Sequence, residues 1–293
     1  MPSVLCFGEI LWDFLPDGLF VGGAPFNVSY HLFQYGLSSR LVSAVGGDLL
    51  GEELTRRMEA WKLPTDTVAR LVGIPTGYVR ATLGDTGDAK YMITENVAWD
   101  HIPVTKHVRN LAAKADGVVF GTLAQRANDN QAALSALLDA LPEHALRVFD
   151  VNLRAPYDDA DLALSLARRA SVTKLNAEEA ARLARRAGES AGHEETHARA
   201  IARETGCALI CITAGSRGAG LLRDNTWHWE NGRDVEVVDT VGAGDAFLAC
   251  LVAGLLQGKD SDAKLLARAC RLGEWVTTRR GATPACDTST PTP

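Results

Sequence analysis

The sequence predicts an α/β fold on an open, mostly parallel sheet. Short β-rich apolar runs alternate with longer helical patterns along the chain. Several of those runs lack the polar alternation of a half-exposed strand, as expected of strands covered on both faces. One region, 76–93, breaks the alternation and reads as a hairpin.

Taken in order, "VLCFG" (4–8), "RLVSAV" (40–45), "GVVFG" (117–121), "LRVFDV" (146–151), "VTKLN" (172–176) and "CALICIT" (207–213) are predicted strands. Helices are predicted over 26–35, ending at Gly36, and over 49–60, 130–140, 160–170, 177–187 and 196–205. "EVVDT" (236–240) is expected as a strand or extended turn leading into the helix "DAFLACLVAGLLQG", which Gly258 stops. The hairpin 76–93 turns at "GDTGD" (84–88). With the strand-like "FLPDGLFV" (14–21) it is expected to form a small antiparallel flap, of the kind that closes over a substrate.

Composition limits the function classes. Of 293 residues, 46% are apolar, so the chain can bury a large core. The net charge of −6 argues against a dedicated nucleic-acid binder and makes any anion site local. Glu9 and Asp13 interrupt the N-terminal run where a signal peptide would be apolar. The longest apolar run, 246–256, is too short to span a bilayer, so a cytoplasmic protein with no membrane partner is expected. Six cysteines without a CxxC pair are expected to be free, mostly buried thiols.

The chemistry concentrates in a few loops. "DTVGAGDAF" (239–247) places Gly242, Ala243 and Gly244 at a helix start, where free amides and the helix dipole favour an anion. Asp245 beside such a nest should repel an anion unless it accepts a proton from the attacking nucleophile. A helix cap with tightly packed glycines is the other reading. "TAGSRGAG" (213–220) after a strand is either a phosphate-approaching loop or a simple turn, and no Walker A lysine follows it. The first strand lacks a GxGxxG, which argues against a dinucleotide-binding dehydrogenase. Asn176 and Glu179 form either a helix cap or a polar pair able to order the water shell of Mg²⁺. Asp13, Gly22, Gly23 and Asn27 lie at a loop-to-helix entry suited either to reading sugar hydroxyls or to capping.

In combination these stretches resemble the ribokinase-like (PfkB) carbohydrate kinases over essentially the whole chain. "GGAPFNV", "AVGGDLLGEEL" (44–54), "DVNLR" (150–154), "NAEE" (176–179), "TAGSRGA" (213–219) and "DTVGAGDAF" occur in that family's order and spacing. "GGAP" and "ENVAWD" (95–100) are most similar to the bacterial fructokinase branch.

The resemblance implies a three-layer α/β/α kinase domain over 1–285 with lid segments at about 14–21 and 76–100; the polar, Pro-rich 286–293 is expected to be a flexible tail that frays. It implies ATP-dependent phosphorylation of a sugar hydroxyl, fructose being the expected substrate. Asp245 would be the base, and the amides of Gly242, Ala243 and Gly244 the anion hole. Asp13, Gly23 and Asn27 would hold the sugar, with Asn152 or Arg154 nearby. Asn176 and Glu179 would organise Mg²⁺ and the phosphates, and Thr213, Gly215 and Gly218 would line the nucleotide site. Asp239, Val241, Val276, Arg279 and Gly281 match a monovalent-cation (K⁺) site, and a homodimer built on the lid would be in keeping. Ala24 stands where ribokinases carry a lysine, which argues against ribose; Cys270 stands where an Asn or His on the nucleotide side is common.

Other readings remain. The catalytic motif would serve a kinase for 2-keto-3-deoxygluconate, ribose, tagatose or a nucleoside equally well, and a sugar sensor would keep the fold without turnover. "HEETH" (193–197) matches the zinc-protease pattern HExxH, but its flanks predict a solvated helix with no third ligand, not a catalytic zinc.

Overall fold

The computed structural model describes residues 1–15, 18–83, 89–185, 188 and 191–291. The expected turn at 84–88, and parts of the 14–21 segment, the expected 177–187 helix and the 286–293 tail, lie outside the described residues.

A nine-stranded sheet forms the body. Its parallel part comprises β1 (Ser3–Phe7), β4 (Ser38–Gly46), β5 (Val68–Leu71), β8 (Gly117–Gly121), β9 (Leu146–Asp150), β10 (Val172–Asn176) and β11 (Leu209–Thr213). β12 (Gly218–Arg223) and β13 (Thr226–Asn231) extend one edge in antiparallel pairing, giving the order β13-β12-β11-β10-β9-β8-β1-β4-β5. All six expected strands begin within two residues of the expected position, and "GVVFG" matches β8 at both ends. "EVVDT" is neither strand nor bridge: the amides of Val238 and Asp239 both donate to the carbonyl of Thr277, which fixes the segment as an irregular loop.

Helices cover both faces. α1 (Ala24–Gln34), α2 (Leu49–Ala60), α8 (Ala243–Gln257) and α9 (Asp262–Thr277) pack on one side. α3 (Lys106–Ala112), α4 (Asn128–Asp139), α5 (Ala160–Ala167), α6 (Ala177–Leu183) and α7 (Glu194–Thr205) pack on the other. Strand alternation separates the two cores: Val4 and Cys6 of β1 face one, Leu5 and Phe7 the other. α8 is apolar on nearly every side because it is buried between α1 and α9.

A second sheet of four strands stands beside the body: β2 (Leu11–Leu15), β3 (Gly18–Gly22), β6 (Tyr78–Leu83) and β7 (Ala89–Ile93), in the order β3-β2-β6-β7. The expected antiparallel flap needs one correction, since β2 pairs with β6 in parallel. A connection through the body separates those two strands, so no tight turn forces them antiparallel. β2 also begins at Leu11, three residues ahead of the expected lid segment.

Two further expectations change. The HEETH helix is not simply solvated: His197 and Glu194 are buried, and Glu194 is engaged by Arg217. No group of three metal-ligating side chains occurs among the described residues. The polar tail does not simply fray, since a turn spans Asp287–Thr290 and the Ser289 hydroxyl accepts from Trp275 Nε1 (3.0 Å) and Arg279 Nη2 (2.9 Å). Of the cysteines, Cys286 is exposed and the other five are buried, all six as free thiols. No described helix is long and apolar enough to cross a membrane.

Candidate active site

The motif loops meet along one edge of the body, where the strands of the parallel sheet end and the small sheet is rooted. α8 begins there. Gly242 is its N-cap with φ +78°, and a Cβ at that position would lie 2.5 Å from the Cα of Ala282. Glycine is required at 242 both for the left-handed conformation and for space. Ala243, Gly244 and Asp245 form the first turn, whose amides have no partner one turn back within the helix. The Ala243 amide is partly turned to Thr240 O at 3.4 Å, so it is the least available of the three expected anion-binding amides.

Asp245 points toward α1. Asn27, in the first turn of α1, donates from Nδ2 to Asp245 Oδ2 at 2.7 Å. Burial pushes the Asp245 carboxyl up to about 6; Asp150 adds to this, while Lys174, Asn27 and Arg154 oppose it. Asp13, on β2, is likewise raised to about 6 by burial. Its carboxylate lies over Gly22, where a Cβ would fall 2.0 Å from Oδ2. Gly23 caps α1 with φ +110° and lies against the backbone of Glu9. Arg154 is exposed, and its charge acts on Glu9, Asp13 and Asp245 alike, which puts these four in one neighbourhood. Asn152, with φ +39°, lines a small cavity together with Glu9, Thr122 and Asp150.

On the other side of α8's N-terminus lies a cleft of about 430 Å³. Thr213, Gly215 and Gly218 line it, as do Thr240, Ala243, Gly244, Phe247 and Cys270. Gly218 has φ +118°, and a Cβ there would collide with Glu230 O at 1.9 Å. Burial holds the Cys270 thiol protonated, with a pKa of about 12.

Asn176 and Glu179 form a capping box. Asn176 Oδ1 accepts from the Glu179 amide, Glu179 Oε2 accepts from the Asn176 amide, and Glu179 Oε1 takes the Leu153 amide, each at 2.8 Å. Each carboxylate oxygen of the buried Glu179 thus holds one backbone N–H and keeps one lone pair free. That suits a link to Mg²⁺ through water better than direct ligation. Asn176 is exposed and pairs with Thr213 across the β10–β11 register, but it is not part of the cleft wall.

The expected cation-site residues come from two loops that the structure brings together. Asp239 accepts from the amides of Val241 and Gly281, both at 3.0 Å, and so ties 239–241 to 281. The Val276 carbonyl accepts the Arg279 amide at 2.9 Å. The Arg279 side chain turns away, over the Trp275 ring and toward Asp287. These converging loops are where the carbonyls expected to hold a monovalent cation would lie, with Asp239 as the tie between the loops.

Sequence reasoning missed three polar residues: Glu9, Asp150 and Lys174. Each is buried, and Lys174 Nζ donates to Asp150 Oδ1 at 3.0 Å. Burial pushes Glu9 up to about 7. The available signal was a single charged residue in or at the end of an otherwise apolar strand, as in "VTKLN" and "RVFD".

The pfkB family carbohydrate kinase model matches residues 17–289, and the chain belongs to that family. It is a sugar phosphotransferase. It is 29% identical to a protein called probable fructokinase-6, chloroplastic, of Arabidopsis thaliana, over 98% of this chain and 80% of the other. Among solved structures it is similar to an uncharacterized sugar kinase from Pyrococcus horikoshii, which has also been solved with ATP: TM-score 0.81, 25% identity, 96% of this chain and 93% of that one. A 2-dehydro-3-deoxygluconokinase from Thermotoga maritima shares the fold with TM-score 0.82 at 20% identity, over 98% and 97% of the two chains.

Proposed function

We propose that this kinase transfers the γ-phosphoryl group of ATP to a primary hydroxyl of a furanose-type sugar such as fructose, with Asp245 as the base. The observation that carries the reading is the position of Asp245. It lies at the first turn of α8, held by Asn27 at 2.7 Å, between the 430 Å³ cleft and the neighbourhood of Asp13 and Arg154. A nucleotide in the cleft would bring its terminal phosphate to Gly242, Ala243 and Gly244. A sugar held by Asp13, the Gly23 backbone and Asn27 would offer its hydroxyl to Asp245. Phosphoryl transfer needs positioning and charge neutralisation, and one carboxylate suffices to orient and then deprotonate the alcohol. Mg²⁺, bound through water at Glu179, would neutralise phosphate charge, and K⁺ at the 239–241 and 276–281 loops would support the helix start.

Arg154 favours a second substrate class. The only hydrogen bond its guanidinium makes among the described residues is to the carbonyl of the preceding Leu153. The guanidinium therefore remains available to a sugar acid such as 2-keto-3-deoxygluconate. ADP release with Mg-ATP would be measured against fructose, 2-keto-3-deoxygluconate, ribose, tagatose and adenosine, with and without K⁺. A signal led by fructose supports the first reading, and one led by the sugar acid moves the assignment to the second. No signal with any of the five refutes both. Sedimentation of the same sample tests for the lid-built homodimer.

A further inference from the structure

We propose that Lys174 supplies the positive charge that meets the transferring phosphoryl group, and that Asp150 is the positioning residue that aims it. The inference rests on the anion-hole reading of 242–244. Lys174 is the third residue of β10, between Thr173 and Leu175, and its side chain is only 8% exposed. Asp150 ends the adjacent β9 and is buried as well. A buried ion pair is a poor way to stabilise this layer, because an apolar pair of similar size would serve as well or better. Something else must retain it.

Gly244 indicates what that is. Unlike Gly242, Gly244 has no left-handed backbone, so conformation does not require glycine there. The space is tight instead: a Cβ at 244 would lie 3.0 Å from Lys174 Nζ, so any side chain there would press on the ammonium. The ammonium is thus packed against the first turn of α8, beside the amides expected to receive the phosphate. Its one hydrogen bond among the described residues goes to Asp150, and an ammonium has three donors. Two remain for an incoming oxygen.

Charge balance points the same way. Asp150, Glu179 and Asp245 all act on Lys174. A helix N-terminus contributes roughly half a charge. Without Lys174, the triphosphate would approach three carboxylates with little compensation on the protein side. With it, a fixed cation lies where charge accumulates in the transition state, at no cost of reorganisation.

Removing Lys174 alone would strand the Asp150 charge and confuse misfolding with lost catalysis. The informative variant is the double substitution Lys174→Met with Asp150→Asn, which removes both charges. Thermal melting, kcat, sugar affinity and the relative affinities for AMP-PNP and ADP would be measured. The expected result is a melting temperature near that of the wild type, unchanged sugar affinity, and kcat lower by about 100-fold or more. The preference for AMP-PNP over ADP should be lost, whereas Asp150→Asn alone, which keeps the lysine, should retain it. A double variant with kcat within about fivefold of wild type, or with an intact triphosphate preference, overturns the proposal. If the double variant does not fold, the neutral pair Lys174→Gln with Asp150→Asn, whose side-chain amides can hydrogen-bond to each other, removes both charges and answers through the same readouts. A normal kcat in Asp245→Asn would instead refute the base assignment, and with it the placing of the reaction at the start of α8 on which this proposal rests.

Discussion

Asp245→Asn should separate catalysis from stability in opposite directions. The amide fills the same volume, and its oxygen still accepts the Asn27 hydrogen bond. What it loses is the ability to take a proton, which for a general base corresponds to about 10²–10⁴ in kcat. What it gains follows from the pKa. Burial raises this carboxyl from an ordinary 3.8 to about 6. That rise corresponds to about 3 kcal/mol of destabilisation once the group ionises. Partial solvent access trims the figure to about 1–3 kcal/mol. The sign is that of a raised acid: the folded state holds the proton more tightly, so stability falls as pH climbs from about 4 to about 6 and stays lower above. At pH 7.5 the variant should therefore melt higher than the wild type while turning over far more slowly, and it should lack that pH dependence. In the wild type, kcat/KM should rise with pH through about 6 as Asp245 ionises. Coupled ADP release and thermal melts across pH 4–8 test both halves. A variant within tenfold of wild-type kcat would refute the base assignment, and one less stable at pH 7.5 would refute the burial argument.

Three further outcomes are expected. Gly242→Ala combines a strained φ with a collision against Ala282, and should cost about 3 kcal/mol, seen as a melting-temperature drop of roughly 6–10 °C. Glu179→Gln leaves one of two backbone amides without an acceptor; unfolding should report a loss of about 1–2 kcal/mol, and titration of Mg²⁺ against rate should show weaker apparent binding. Arg154→Gln removes a cation felt by Asp13 and Asp245, so the acid limb of the pH–rate profile should move to higher pH and KM for the sugar should rise with little change in KM for ATP.

The parallel strands were legible because burial on both faces writes itself as unbroken apolar runs such as "GVVFG". The motif glycines were legible because few residues tolerate the backbone at 242 and 218. The antiparallel edge was not. β13, "TWHWEN", is half-exposed on an outer edge, and its polar and aromatic alternation resembles a decorated loop. α9 was not among the expected helices, although "DAKLLARACRLGEWVT" carries a helical apolar stripe. Lys174 and Asp150 were hidden for a different reason. Asp150 is one charged residue ending an apolar strand and Lys174 one charged residue inside another, and only the sheet order shows that they are neighbours. The buried His197 shows the converse: a charged-looking helix flank says little about the face turned inward.

The small sheet is joined to the body along one side. Gly77 leaves no room beside the Trp99 indole, Gly23 none beside the Glu9 carbonyl, and the carboxylate of Asp48 holds both the amide and hydroxyl of Thr76. Mechanically this is a cantilever clamped at its root. A beam so held bends most at its free end and least beside the clamp. Asp13 lies two residues from the start of β2, near the clamp, so it would keep its aim while the outer strands deflect. On the proposed reading, the carboxylate that meets the sugar would thus sit at the stiffest part of the small sheet.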